Sequence, residues 1–371
     1  MSDFMLDFWT RAPIVFWSVV FFVFGTVVGS FLNVCIHRMP LDLSLAKPGS
    51  QCPKCGFAIP WRLNIPIVSW LWLRGRCRQC AASISPRYLG VELLTGLAFL
   101  ASWLAFGEQT TPGVLLAVTW GFVLAGLITA TFIDFEHFII TDQITRSGVA
   151  VGIIVSAGLP ALHHVTRPAG SMMASGLGIL VGAGSVFAVL QLDKLLFGKV
   201  RVPLEEGESA TFTESALHRP GEVAPFEEIF FRNSDTIRLH AKRLELVDRC
   251  HMNIDVALSP KRLLIGDESF DPETVPFIKV ESDDLVTPRE AMGFGDVKFM
   301  AAIGAFVGWQ GALFSLMASA VVGAVVGVGL IAIGRRDWSA RLPYGPYISL
   351  AAVIWIFFGQ RILAVWLPEA P

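Results

Sequence analysis

Charge is what this chain has least of. Asp, Glu, Lys and Arg make up 16% of its 371 residues, against roughly a quarter in a soluble domain, and the mean hydropathy is +0.59. That scarcity excludes an ordinary water-soluble globule. Several apolar runs near 20 residues long make the chain a polytopic helical membrane protein. The amino terminus, Met1-Ser-Asp-Phe-Met-Leu-Asp, lacks a basic stretch, and the first apolar run lacks a small-residue cleavage site. That run therefore reads as retained rather than removed as a signal peptide. Also missing is any strand–glycine-loop–helix unit of the nucleotide-binding kind. The Gly-rich stretches Gly176-Leu-Gly, Gly182-Ala-Gly and Gly323-Ala-Val-Val-Gly-Val-Gly read instead as close helix packing. A net charge of −2 decides nothing, because the charges are gathered in loops. The expected surroundings are a lipid bilayer, and no nucleic-acid partner is expected.

Spans are expected over 12–36, 89–106, 113–133, 147–163, 172–192, 297–308, 310–334 and 346–367, about eight in all. The 297–308 segment is short for a hydrocarbon core of ~30 Å, so tilt or a re-entrant path is expected there. The fold class is all-α polytopic with two additions, a small zinc-binding loop domain and a β-rich insertion. This divides the chain into a first span (1–36), a metal-loop domain (37–88), spans two to five (89–192), the insertion (193–289) and spans six to eight (290–371).

Topology follows the basic residues in the loops. The first loop carries Arg38, Lys47, Lys54, Arg62, Arg74, Arg76, Arg78 and Arg87 against almost no acids, and the seventh connection carries Arg335, Arg336 and Arg341. Turns on the other side, such as Gly107-Glu-Gln-Thr-Thr-Pro112, are poor in Lys and Arg. The first loop is then cytoplasmic and both termini lie outside.

The insertion is rich in charge, holds Pro203, Pro220, Pro225, Pro260, Pro272 and Pro276, and contains no run long enough to span. Thr236-Ile-Arg-Leu-His-Ala and Arg243-Leu-Glu-Leu-Val alternate apolar and polar residues, the pattern of half-buried strands. The first 30 residues of the stretch read as loose; a mostly disordered loop is the competing description of the whole.

Two motifs carry chemistry. Cys52-Pro-Lys-Cys55 and Cys77-Arg-Gln-Cys80 are Cys-x-x-Cys pairs separated by 21 residues, close to a four-thiolate zinc arrangement. Each pair offers two sulfurs from one tight turn, and four thiolates leave no open position for a catalytic water. A cytoplasmic loop keeps its thiols reduced, which argues against disulfides. Cys35 and Cys250 read as ordinary free thiols.

The second motif is a pair. Thr131-Phe-Ile-Asp134-Phe-Glu136-His137 and Gly293-Phe-Gly295-Asp296-Val-Lys298 each set an aspartate at the end of an apolar segment, where a carboxylate is costly unless something uses it. Asp134 and Asp296 stand 162 residues apart, but both fall at cytoplasmic helix ends and can meet. Two carboxylates holding one proton between them can hydrolyse a peptide, one activating water and the other donating to the carbonyl oxygen. The pair titrates as a unit. Gly293 and Gly295 give the backbone before Asp296 freedom to turn and let a peptide approach. Lys298 could steady a carboxylate or contact substrate, though a snorkelling lysine is the commoner case. Glu136 and His137 read mainly as interfacial side chains.

With these residues in view, the chain resembles the type IV prepilin leader peptidases, aspartyl peptidases of the bacterial inner membrane. The matching stretches are Gly29-Ser-Phe-Leu-Asn-Val-Cys-Ile-His-Arg-Met-Pro, the two Cys pairs, Ile133-Asp134 leading to Asp142, Gly293-Phe-Gly-Asp296-Val-Lys298, and Pro343-Tyr-Gly-Pro-Tyr347. Asn64-Ile-Pro-Ile-Val-Ser69 and Arg87-Tyr-Leu-Gly-Val-Glu-Leu also fit. The match covers nearly everything outside the insertion. It implies that Asp134 and Asp296 are catalytic and that Cys52, Cys55, Cys77 and Cys80 bind zinc. It also implies prepilin or pseudopilin substrates cut after a glycine behind a short basic leader. Methylation of the new amino terminus from S-adenosylmethionine is implied by the resemblance alone.

Two departures stand out. Ile140-Thr-Asp142 replaces the family's Leu-Pro-Asp, so Asp142 remains, as a candidate for orienting the site or meeting the basic leader, without the proline before it. The insertion, absent from most relatives, directly precedes Gly293 and could shape substrate access or contact other pilus- or secretion-assembly components. Competing classes are a presenilin-like protease, which would show a Pro-Ala-Leu motif where this chain has Pro343-Tyr-Gly-Pro, and an ion-coupled transporter, whose acids would sit at mid-membrane.

Overall fold

A computed structural model describes residues 14–108, 110–197, 199–204, 208–213, 215–219, 222–230, 235–275, 277–288, 293–333 and 342–366. The amino-terminal heptapeptide and Arg335, Arg336 and Arg341 lie outside the described residues. The chain divides into two compact units, Met1–Phe187 with Gly293–Pro371, and Ala188–Met292.

The first unit is a helix bundle built from α1 (Ile14–Arg38), α2 (Pro86–Phe106), α3 (Thr111–His137), α4 (Asp142–Gly158), most of α5 (Pro168–Phe197), α6 (Phe294–Ala332) and α7 (Gly345–Trp366). Local chemistry starts several of these. Ser85 accepts the Arg87 N–H ahead of Pro86, and Thr110 accepts the Gly113 N–H ahead of Pro112, each satisfying one of the orphan donors of a helix's first turn. Helix α1 packs on α2 and α3, α4 on α6, and α7 on both α3 and α6. Phe99, Trp103, Ile36 and Ile133 are fully buried where the first three meet.

Among the described residues, six helices are long and apolar enough to cross a membrane: α1, α2, α3, α5, α6 and α7. The expectation of about eight differs at two places. The segment expected over 147–163 is α4, 17 residues long, or about 26 Å at helical rise. The segments expected over 297–308 and 310–334 form the single run α6, interrupted at Gly308 with φ 72° and ψ 179°. Positive φ combined with an extended ψ is a region essentially restricted to glycine. The interruption reverses the chain. A Cβ placed on Gly182 of α5 would lie 2.4 Å from the Met300 oxygen and 3.5 Å from the Ala312 Cβ, whereas a straight helix would hold residues 300 and 312 about 18 Å apart. Helix α5 reaches this hairpin through glycine: a Cβ on Gly178 would fall 2.0 Å from the Gly304 carbonyl oxygen, so the two backbones touch.

The all-α description holds only for the bundle. The second unit carries a ten-stranded antiparallel sheet in the order β4-β3-β2-β9-β5-β6-β7-β8, with β10 joining β1 to β5. Its strands are β1 (Lys199–Pro203), β2 (Ser209–Thr213), β3 (Ala216–Arg219), β4 (Glu222–Pro225), β5 (Ile237–Glu245), β6 (Cys250–Ser259), β7 (Arg262–Ile265), β8 (Glu268–Phe270), β9 (Phe277–Glu281) and β10 (Asp284–Pro288). Both alternating stretches foreseen in sequence lie in or against one strand, β5, where Ile237, Leu239, Ala241 and Leu244 enter the core. The part expected to be loose forms β1 to β4, because residues far along the chain pair with it: Lys199 faces Pro288, and Phe212 faces Ile278.

Candidate functional site

The metal loop is two copies of one turn. In the first, the Cys52 N–H donates to the Phe57 oxygen and the Gly56 N–H to the Cys52 oxygen; in the second, the Cys77 N–H donates to the Ala82 oxygen and the Ala81 N–H to the Cys77 oxygen. Gly56 and Ala81 occupy equivalent positions, with φ of 70° and 56°. The turns bring Cys52, Cys55, Cys77 and Cys80 together with all four sulfurs within 4.8 Å of one another. The Cys52–Cys80 and Cys55–Cys77 sulfur distances are 3.8 and 3.9 Å, matching the edge of about 3.8 Å for a tetrahedron with Zn–S bonds of about 2.3 Å. The N–H groups of Cys55 and Lys54 draw the Cys52 thiol down to about 6. Against the pull of the Phe57 N–H, desolvation and the neighbouring sulfurs push Cys55 up to about 12. Four sulfurs this close cannot all ionise without a cation among them, and a divalent ion supplies that charge. The donor set fits zinc.

The aspartates meet at helix ends. Asp134 lies near the C-terminal end of α3 and is 5% exposed; Asp296 lies in the first turn of α6 and is 8% exposed. Their charges lie within electrostatic reach of each other. Ile140 packs beside the glycines next to both: Cβ atoms placed on Gly345 and Gly295 would come within 3.3 and 3.5 Å of it.

Each carboxylate has one oxygen anchored. The Gly345 N–H, at the start of α7, donates to Asp134 Oδ2 at 2.8 Å, and the Gly293 N–H donates to Asp296 Oδ2 at 3.1 Å. Both donors belong to helix N-termini, whose dipoles favour a negative charge. For Asp134 this matters most, because its own position near the carboxyl end of α3 opposes an anion. The opposite oxygen of each residue has no hydrogen bond described.

The other expected residues fall into place around this pair. Lys298 bonds Asp142 Oδ1 at 2.5 Å rather than Asp296, and lies 5.4 Å from the centre of the Phe294 ring. Asp142 also accepts from Arg146 at 2.5 Å. The Asp142–Lys298 bridge thus ties the first turn of α4 to the first turn of α6 and holds the two motifs in register. Glu136 pairs with Arg87 at the start of α2.

Sequence reasoning named Pro343-Tyr-Gly-Pro-Tyr347 but gave it no task. Gly345 is in contact with Asp134, Tyr344 is within electrostatic reach of Asp296, and the Tyr344 hydroxyl is 2.9 Å from Ser319 Oγ. The signal that could have found Gly345 was a glycine opening a helix, where an N–H is free to meet an anion. Glu92 and Asn33, buried polar residues of α2 and α1, were likewise quoted and given no role.

Comparison with known proteins bears on the same two regions. Residues 23–106 match the family model of the bacterial peptidase A24 N-terminal domain, and residues 274–328 that of the type IV leader peptidase family. A prepilin leader peptidase/N-methyltransferase of Aeromonas hydrophila is 28% identical over 94% of this chain and 93% of its own length. Proteins of the same description from Dichelobacter nodosus and Myxococcus xanthus are 34% and 45% identical. The first match spans 48% of this chain and 68% of the relative, the second 38% and 40%. No solved structure matches the chain.

Proposed function

The chain belongs to the type IV leader peptidase family, and from that premise we propose that it is a membrane aspartyl endopeptidase and amino-terminal methyltransferase acting on prepilins or pseudopilins. The observation that carries the peptidase half is the pair of buried carboxylates, far apart in sequence, with one oxygen of each bonded to a helix-terminal N–H.

Chemistry follows from that anchoring. With one proton between them, the ionised aspartate takes a proton from water while the protonated one donates to the scissile carbonyl oxygen. Water oxygen bonds to the carbonyl carbon, and the tetrahedral adduct then expels the amine, which leaves with a proton returned by the pair. The Gly345 and Gly293 N–H groups keep each anchored oxygen turned away, so that the opposite oxygens face water and substrate. Asp142 and Lys298 position the two helix starts.

The substrate's basic leader belongs in water and its apolar helix in lipid. We place the site at the cytoplasmic face of the bacterial inner membrane, with both termini outside. That orientation uses eight segments, counting α4 and the two limbs of α6 separately. The four cysteines would hold zinc as a staple of the loop, supplying cross-links rather than a reactive centre. When bound, S-adenosylmethionine would supply an electrophilic sulfonium methyl group for the freed amine. The insertion, preceding Gly293 in the chain, is assigned to substrate access or to contact with other assembly components. Unchanged processing of every prepilin after deletion of 205–285 would remove that assignment.

The peptidase reading is tested in membranes containing the full chain and a prepilin from the same organism. Asp134→Asn and Asp296→Asn should each lower cleavage by at least about a thousandfold, in line with loss of one half of an acid–base pair. Full activity in either variant ends the two-aspartate mechanism.

A further inference from the structure

The N–H that holds Asp134 Oδ2 belongs to the peptide joining Tyr344 to Gly345. The carbonyl of that peptide accepts the Tyr347 and Ile348 N–H groups at 3.1 and 3.2 Å, as the residue ahead of a helix does. Pro346 carries no N–H, which leaves Gly345 to meet the anion at this helix start.

A side-chain contact fixes the same peptide. The Tyr344 hydroxyl lies 2.9 Å from Ser319 Oγ, and Ser319, fully buried on α6, lies 2.8 Å from the Leu316 carbonyl oxygen. A serine hydroxyl has one proton. The carbonyl can only accept, so that proton goes to Leu316 and the tyrosine donates to Ser319. Tyr344 is thereby held by a buried, directed chain of two hydrogen bonds, each polarising the other.

The path of α6 brings Ser319 to this place. Asp296 lies twelve residues before the reversal at Gly308 and Ser319 eleven after it, about 18 and 17 Å along the two limbs. The two are nearly level, and Tyr344 stands within electrostatic reach of Asp296. The returning limb has a small residue at every fourth position, Gly311, Ser315, Ser319, Gly323 and Gly327, which lets a neighbouring helix approach closely. A Cβ on Gly323 would lie 3.3 Å from Tyr347 Cδ2, and one on Gly327 3.3 Å from Leu342 Cδ1. Ser315 Oγ, one turn before Ser319, has no hydrogen-bond partner among the described residues. Ser319 therefore differs from its neighbour on the stripe by the bond to Tyr344.

We propose that Ser319 is a positioning residue of the peptidase site: through Tyr344 it orients the Gly345 N–H, and through that N–H the Asp134 carboxylate. The proposal rests on the two-aspartate reading above and adds to it a residue that lies outside the sequence motifs. The hairpin of α6 then places both carboxylates, Asp296 on its first limb and Asp134 by way of its second.

The experiment uses the full chain in lipid nanodiscs with a prepilin from the same organism, and measures KM together with single-turnover cleavage at saturating substrate. Tyr344→Phe and Ser319→Ala each remove one side of the same bond and should lower the rate roughly fivefold to tenfold, the worth of one neutral hydrogen bond, with KM unchanged. The double variant should match the single ones. Ser315→Ala, at an equally buried serine of the same stripe, should cleave at the wild-type rate. In a Gly345→Ala background, where the added Cβ already displaces Asp134, Tyr344→Phe should cost nothing further, because its route to the carboxylate is gone. Wild-type rates in Tyr344→Phe and Ser319→Ala overturn the proposal. So does an equal loss in Ser315→Ala, which would mark packing along the stripe, or a multiplied loss in the Gly345→Ala background, which would mark a route around the Asp134 anchor. Melting temperature and bound zinc report folding, and Tyr344→Phe, which keeps the ring, decides the matter even if Ser319→Ala fails to fold. Asp134→Asn separates the two claims. Loss of cleavage there with full activity in Tyr344→Phe sinks only the positioning role, whereas full activity in Asp134→Asn sinks the two-aspartate reading beneath it.

Discussion

The cysteine cluster and the aspartate pair solve the same problem, gathering reactive groups at one point, by opposite means. Each half of the thiol cluster is a single tight turn closed by its own backbone hydrogen bonds, so its geometry is nearly complete before the halves meet. The aspartate pair is not closed within one segment. Asp134 depends on an N–H from α7, more than 200 residues later in the chain; Asp296 takes its N–H from Gly293, three residues earlier, but meets Asp134 only through the packing of separate helices. The metal cluster is therefore a matter of stability and the aspartate pair a matter of alignment.

Breaking each should separate those two properties. Cys77→Ser removes one thiolate of four and should cost the bound zinc and several kcal/mol of stability, read as metal content and melting temperature of the purified chain. Retained zinc and an unchanged melting temperature would remove the staple. Gly345→Ala does the reverse. The new Cβ would fall 2.8 Å from Asp134 Oδ2, so the carboxylate must shift, and a misplacement of this kind costs cleavage about a hundredfold. The melting temperature should move little, and an alanine variant that cleaves at the wild-type rate would deny Gly345 its anchoring task.

Smaller changes sharpen the contrast. Lys298→Met breaks the bridge to Asp142, a half-exposed ion pair worth about 1 kcal/mol or less, and should lower the cleavage rate up to about tenfold without altering the substrate's KM. Asp142→Asn should reproduce it, and the double variant should be no worse than either single one, because both remove the same contact. A double variant with additive losses would mean that the two residues act separately. At the bottom of the scale, Ala81 holds the left-handed conformation that Gly56 holds in the twin turn. Ala81→Gly should relieve it and raise stability by about 1 kcal/mol or less, with cleavage untouched.

How much of this was legible beforehand follows the same division. The thiol turns, the apolar spans and the helix starts at Ser85 and Thr110 are written in neighbouring residues, and local rules read them. Within the insertion, alternation marked β5, but β1 to β4 are short strands, interrupted by proline and glycine. β1 and β2 are strands because β10 and β9 lie beside them, and β3 and β4 extend the sheet outward from β2. At the site, both aspartates were recognisable as charges at the ends of apolar runs. Gly345 was not, since a glycine states nothing about which distant carboxylate its N–H will meet. Lys298 reads in sequence mainly as a snorkelling lysine, with a carboxylate or the substrate as the other options; its partner, Asp142, lies 156 residues away in sequence and was set by packing.

The sequence by itself determined the class of molecule, the two thiol turns and the identity of the paired acids, because hydropathy, turn chemistry and the cost of a charge beside lipid are all local quantities. Only the tertiary structure decided that α6 doubles back at Gly308, that α7 lends its first N–H to Asp134, and that Ser319 meets Tyr344 beside it. Those depend on which helix backbones can touch, and that is settled by packing across hundreds of residues rather than by any one stretch of the chain.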